Sequence, residues 1–219
     1  MTAPYARREV TLIALLGAAA TAAAAWFLGA WAILPAVLTL ALLAFHRDPA
    51  RQPPPGDNLV LAPADGKVVE ICRDGDGPDG ARLLRITVFL SVFDVHVNRS
   101  PCTGRVTAVS YRPGEFLNAL RSAASTRNES NTLTVQPAPP LPGPVRVRQI
   151  AGVLARRIVC TARVGDHLTA GQRFGMIKLG SRTELGLVED PRWEVLVRTG
   201  DPVKAGLTVL ARWQTTSAT

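Results

Sequence analysis

Few residues of this chain have the chemistry to act as nucleophile, base or metal ligand. A serine follows a glycine at Gly180-Ser181, in FGMIKLGSRTEL, where a compact apolar run gives way to charged residues. Alone, Gly-Ser marks a turn, so this serine gains meaning only if a base can reach it. Three histidines could exchange protons near neutral pH. His46 stands where a long apolar run ends and reads as an interfacial residue, and His167 follows Gly165-Asp166 and reads as an exposed turn residue. His96, in DVHVN, alternates with apolar residues in a predicted strand, which would place its ring accurately. Asp65, in PADGKV, is a carboxylate that could orient such a ring in a Ser-His-Asp arrangement; read alone, it is a turn aspartate before Gly66. Cys72, Cys102 and Cys160 are odd in number and lack a CxxC spacing. They suggest neither a disulfide framework nor a zinc site, no metal is expected, and a reducing compartment is the simpler inference.

Holding these side chains falls to a β-rich domain. Beyond residue 58 the apolar residues come in short runs such as NLVLAPADGKVVEICRD, TGRVTAVSYRP and RFGMIKL, bounded by Gly, Asp, Asn and Pro. That pattern predicts a mainly β sandwich or barrel. A helix is expected at 114–125 (GEFLNALRSAAS) and a loop at 137–144 (PAPPLPGP). The stretch RVGDHLTAGQRFGMI (163–177) recurs 35 residues later as RTGDPVKAGLTVLA (198–211). Biotinyl and lipoyl carrier domains build a flattened barrel from such duplicated hairpins, so part of the domain is expected to have that near two-fold shape. The shape alone carries no function.

The amino terminus is of another kind. Val10 to Phe45 is a run of 36 residues without a charge. One crossing needs roughly 20 apolar residues, so the run suits two short transmembrane helices with a tight turn at Gly29, between Trp26 and Trp31. Arg7 and Arg8 precede it; His46, Arg47 and Arg51 follow it. Positive charge at both ends puts both on the cytoplasmic side of the cell membrane. A cleaved signal peptide would not need the apolar residues after AAATAAAA, and a single long tilted helix is the rival arrangement. The expected domains are a membrane anchor at 1–48, a Pro-rich linker at 49–58 and a catalytic domain at 59–219.

The chain carries 25 Lys and Arg against 17 Asp and Glu, a net charge of +8. That excess suits an anionic partner. No basic run has interleaved aromatics, which favours a membrane surface over nucleic acid.

Six motifs then occur in order: APADGKV (62–68), FLSVFDVHVNRSP (89–101), GEFLNA (114–119), RNESN (127–131), IAGVLARRIV (150–159) and GQRFGMIKLGSR (171–182). Together they resemble the phosphatidylserine decarboxylase family in its short bacterial and archaeal form, over roughly residues 46–185. The resemblance implies that the Gly180-Ser181 bond breaks autocatalytically. Ser181 Oγ attacks the Gly180 carbonyl, which glycine leaves unobstructed, and the acyl group moves from nitrogen to oxygen. Loss of the Ser181 α-proton expels the Gly180 carboxylate and leaves dehydroalanine, which hydrolyses to a pyruvoyl group and ammonia. The implied products are a β chain, 1–180, and an α chain, 181–219. The pyruvoyl cofactor would form a Schiff base with phosphatidylserine, accept the electrons released as carbon dioxide leaves, and yield phosphatidylethanolamine.

The resemblance also raises His96 and Asp65 to catalytic candidates. Better-known members have a second histidine three residues after the first, where this chain has Arg99, and Gly-Ser-Thr where it has Gly-Ser-Arg. Arg99, Arg156 and Arg157 are candidates to hold the lipid phosphate or carboxylate. Glu129 and Asn131 of RNESN receive no role, and the sequence leaves a homo-oligomer open. The alternative is a membrane-tethered carrier domain modified at Lys178, in Met176-Ile177-Lys178-Leu179. A membrane-tethered, non-enzymatic β-scaffold would leave Gly180-Ser181 unused.

Overall fold

A computed structural model describes residues 4–76, 82–153, 157–177 and 181–215. Its contacts divide the chain into two units, Met1–Ala50 and Arg51–Thr219. In the first unit, helices α1 (Arg7–Leu28) and α2 (Ile33–Phe45) are joined by a 3-10 turn, Gly29–Ala32. Gly29 ends α1 with φ 57°, a left-handed conformation open to glycine at no steric cost. Neither helix buries a residue. Thr39 of α2 packs directly on Gly17 of α1, where no side chain holds it off. By length and composition, Arg7–Phe45 is sufficient to cross a membrane.

The second unit is mainly β, as its short β-branched runs require. It begins with β1 (Leu59–Leu61), β2 (Gly66–Asp76), β3 (Arg82–Leu90), β4 (Val97–Arg99) and β5 (Gly104–Arg112), followed by the short helix α3 (Ser122–Arg127). Then come β6 (Ser130–Pro137), β7 (Val145–Ile150), β8 (Ile158–Cys160), β9 (His167–Leu168) and β10 (Arg173–Ile177). Beyond residues 178–180 lie β11 (Ser181–Val188), β12 (Trp193–Val195), β13 (Pro202–Val203) and β14 (Val209–Trp213). Among the described residues, one eight-stranded antiparallel sheet runs β13-β2-β3-β11-β7-β6-β5-β9, with two three-stranded sheets, β1-β14-β12 and β4-β10-β8.

Strand alternation sorts the side chains of the large sheet. Leu84, Ile86, Val88, Val145, Val147, Leu185 and Leu187 enter the core. Their neighbours Arg85, Arg146, Arg148 and Glu184 line an open trough of about 520 Å³ on the other face.

The sequence repeat is a repeat of geometry. Asp166 Oδ2 accepts from the Arg163 amide and Asp201 Oδ2 from the Arg198 amide, each at 2.8 Å. The Gly171 amide donates to Ser100 and the Gly206 amide to Ala62, again each at 2.8 Å. Gly171 and Gly206 have φ of 74° and 70° and meet where the copies face each other. A Cβ on Gly206 would lie 3.1 Å from Gly171 Cα, so neither position accepts a side chain without displacement.

Two expectations change in detail. The helix expected at 114–125 is confined to α3, because the Asn128 side chain accepts from the Leu117 amide at 2.9 Å and donates to the Leu117 carbonyl at 2.8 Å. Those bonds hold Leu117 outside a helix. The expected linker 49–58 is partly built into the second unit: Arg51 bonds Asp65 and the Ala205 carbonyl, and Pro53 covers Gly171.

Candidate active site

Ser181 is the first residue of β11, opposite Leu90 of β3. It stands just past the point where the chain leaves the small β4-β10-β8 sheet and enters the large one. Its side chain faces inward with 0% exposure. Ser181 Oγ is buried and makes no hydrogen bond among the described residues. A buried hydroxyl without a partner is costly in a purely structural position. Gly180 and Lys178 lie outside the described residues.

His96 is also completely buried. Its carbonyl accepts from the Ile177 amide at 3.2 Å, so it lies at the end of β10 that leads, through 178–180, to Ser181. Its Nδ1 is 2.9 Å from the Asp94 carbonyl. A carbonyl only accepts, so Nδ1 carries the proton and the neutral ring keeps its basic lone pair on Nε2. The Asp94 carbonyl is held in turn. Asp94 Oδ2 accepts from the Ser91 amide and hydroxyl at 2.8 and 2.7 Å, closing a tight turn between β3 and His96.

Beneath this pair runs a buried amide network that the sequence did not reveal. Asn98, two residues after His96, donates to Pro63 O at 3.3 Å and makes a longer contact to Thr183 Oγ1 at 3.4 Å. Thr183 is two residues after Ser181 on the same face of β11. Gln149 donates to Asn98 Oδ1 at 2.9 Å and accepts from Asn131 at 3.0 Å. Asn131 of RNESN thus has a part in fixing β4, β6, β7 and β11 relative to one another. Networks of this kind in a low dielectric specify one arrangement strongly. The available sequence signal was the alternation in DVHVN, which puts Asn98 on the His96 face.

Asp65 is placed differently from its expected role. Arg51 holds both its oxygens, at 2.5 and 2.8 Å, and the Ala205 amide donates to Oδ1 at 2.8 Å. The carboxylate is engaged by a guanidinium, while His96 Nδ1 is held by a main-chain carbonyl. The Asp65 segment remains close to β4, which follows His96, since the Arg99 amide donates to Pro63 O at 3.0 Å.

Arg99 is 4% exposed and donates from Nη1 to Gly171 O at 3.1 Å. It braces the meeting of the two repeat turns, and every residue of β4 is buried. Arg157 is exposed, and Arg156 lies outside the described residues. Arg182 turns to the trough face and pairs with Glu184 at 3.0 Å and Glu70 at 3.1 Å. Arg148 approaches the same Glu184 at 3.7 Å. Burial lowers the pKa of Arg148; Glu184 opposes the shift, and neighbouring Arg112, Arg182 and Arg85 add to it. Among the described residues, no cluster of His, Cys, Asp and Glu could hold a metal ion.

The chain is similar to known proteins along most of its length. Residues 38–211 match the family model for phosphatidylserine decarboxylase. A phosphatidylserine decarboxylase proenzyme of Rhodopirellula baltica is 48% identical over 94% of this chain and 85% of the relative. The proenzymes of Solibacter usitatus (45% identical, over 91% of this chain and 92% of the relative) and Beijerinckia indica (46%, over 90% and 85%) are similar. With the match extending from α2 to β14, the chain belongs to the phosphatidylserine decarboxylase family.

Proposed function

We propose that this chain is a proenzyme that cleaves itself between Gly180 and Ser181 and then decarboxylates phosphatidylserine to phosphatidylethanolamine. The observation that carries this reading is the Ser181 hydroxyl, buried, without a hydrogen bond among the described residues, at the entry to a central strand. His96 Nε2 is the base that takes the Ser181 hydroxyl proton as the oxygen attacks the Gly180 carbonyl. Positioned bases of this kind contribute about 10²–10⁴ in rate. The fixed Nδ1 proton keeps the lone pair on the nitrogen that must work.

The residues fit a pyruvoyl group: Ser181 supplies its carbon skeleton, and the surrounding burial excludes bulk water. Once formed, that group supplies the electron sink for loss of carbon dioxide. Asn98 and Thr183 hold the neighbouring strands in place, and Asp65 acts as a positioning carboxylate through Arg51. Exposed Arg157 is the described candidate for the substrate phosphate or carboxylate. We assign Arg7–Phe45 to a transmembrane helical hairpin whose flanking arginines keep both ends cytoplasmic. The carrier-domain alternative rests on Lys178, outside the described residues, and leaves Ser181 and His96 without a task.

The test is the denatured intact mass of purified protein and of Ser181→Ala. Two fragments divided between residues 180 and 181, the smaller blocked to amino-terminal sequencing, are expected for the native sequence, with a single chain for the variant. Conversion of phosphatidylserine by the native protein alone completes the expectation. One intact chain in active native material would sink it, and a mass increment on Lys178 would favour the carrier domain.

A further inference from the structure

The register of the large sheet brings several chain ends to the Ser181 end of the molecule. Ser181 is opposite Leu90, Arg182 opposite Ile150, and Ser130 opposite both Ile150 and Arg112. Three loops therefore leave from the same end: 91–96, 113–129 and the one that starts at Ala151. Each carries exposed apolar side chains: Val92 (41%) and Phe93 (82%), Phe116 and Leu120, and Val153. With Tyr111, they account for six of the nine exposed large hydrophobics among the described residues of the second unit. Scattered exposed apolar residues need no explanation, but a concentration on one rim does. Arg112, Arg121 and Arg157 are exposed around the same rim.

Phe93 does not hang on a loose loop. Its amide donates to Ser91 Oγ at 3.3 Å, within the turn that Asp94 closes and that also holds His96. An aromatic ring on a braced turn, at an end of the sheet that also exposes arginines, suits the boundary of a bilayer with anionic headgroups. We propose that this rim is the surface by which the catalytic unit docks on an anionic phospholipid bilayer, with Phe93 inserted below the headgroups. Docking there turns the Ser181 end toward the layer where the reacting headgroup lies, so the proposal rests on the phospholipid-substrate reading above.

The experiment uses the full chain with Phe93→Asp, a change at a side chain that supports no core. Two substrates are compared: phosphatidylserine in phosphatidylcholine vesicles, and short-chain phosphatidylserine dispersed as monomers. On vesicles kcat/KM is expected to fall roughly tenfold to a hundredfold, with monomer turnover unchanged. Undiminished vesicle activity would overturn the proposal, as would equal loss on both substrates, which would put Phe93 at the reaction centre. A Phe93→Trp chain reconstituted with brominated lipids supplies a readout independent of turnover: quenching beyond that of the native tryptophans is expected, and no excess would refute docking. If the native protein converts neither substrate, the substrate reading fails while the quenching still decides the surface.

Discussion

Residues 58–69 with 193–213, and residues 96–107 with 158–177, are two copies of one substructure in the β unit. The Trp213 amide donates to Asn58 O in one, and the Ile177 amide to His96 O in the other. Ala62 donates to Thr208 O at 2.8 Å and Ser100 to Gln172 O at 2.7 Å. The Ala205 amide is received by Asp65, and the Ala170 amide by Thr103 Oγ1 at 3.0 Å. The copies differ where the proposed chemistry is. One has Asn58 and closes on Trp213, packed edge-on against Trp193 with ring centroids 5.0 Å apart. The other has His96, and its last strand continues through 178–180 into Ser181. The duplicated backbone provides position, and in the proposed function the departures from the duplication provide reactivity.

Paired substitutions can break this comparison. His96→Ala is expected to slow self-cleavage by about 10²–10⁴, followed as the two fragment masses appear after synthesis. Asn58→Ala, at the matching position, should leave cleavage intact and lose roughly 1 kcal/mol of stability. Similar cleavage rates in the two variants would mean that the asymmetry described here is not the source of the chemistry.

Next in size is the pair Asp65 and Thr103. Asp65→Ala leaves the Arg51 guanidinium buried without its carboxylate and should cost about 3–5 kcal/mol in urea unfolding. Thr103→Ala should cost about 1 kcal/mol. Equal losses would show that the Arg51 ion pair adds nothing to the shared amide contact.

At neutral pH the smallest contrast is between Ala64 and Cys102, since it emerges only in alkaline solution. Burial pushes the Cys102 thiol up to about 12 from the ordinary 9.0. A folded pKa raised above the unfolded value means that the unfolded chain ionises first. Stability is therefore full below about pH 9 and declines by about 1.4 kcal/mol per pH unit as pH rises toward 12. Cys102→Ala should lessen that decline, and the folded native protein should resist alkylation at Cys102 at neutral pH. An unchanged decline in the variant would assign it to other groups.

Much of this was legible beforehand because it is local. The Gly-Asp turns announce themselves through glycine at positive φ and aspartate bonding backward, and the repeat follows from them. Alternation in DVHVN foretold β4 but set its start too early: the strand begins at Val97, and His96 is the loop residue just before it. What escaped depends on distant partners. Arg51 read as a membrane flank because its carboxylate, Asp65, is part of another motif. The burial of Arg99 escaped because nothing local shows that β4 is covered on both faces. The helix expected at 114–125 was cut short by Asn128, a side chain beyond its end.

β11 has one further consequence. It lies between β3 and β7, paired along its length with both, while β13 and β14 pair with β2 and β1. Every one of those four partners precedes residue 180. On the proposed cleavage, the two products therefore remain interleaved through two of the three sheets and do not part. An enzyme matured in that way would be a heterodimer whose assembly instructions were carried by a bond it no longer has. Once fully unfolded, its pieces must find each other by diffusion, so the native state is reached easily once, from the uncut chain, and its later history is one of persistence instead of renewal.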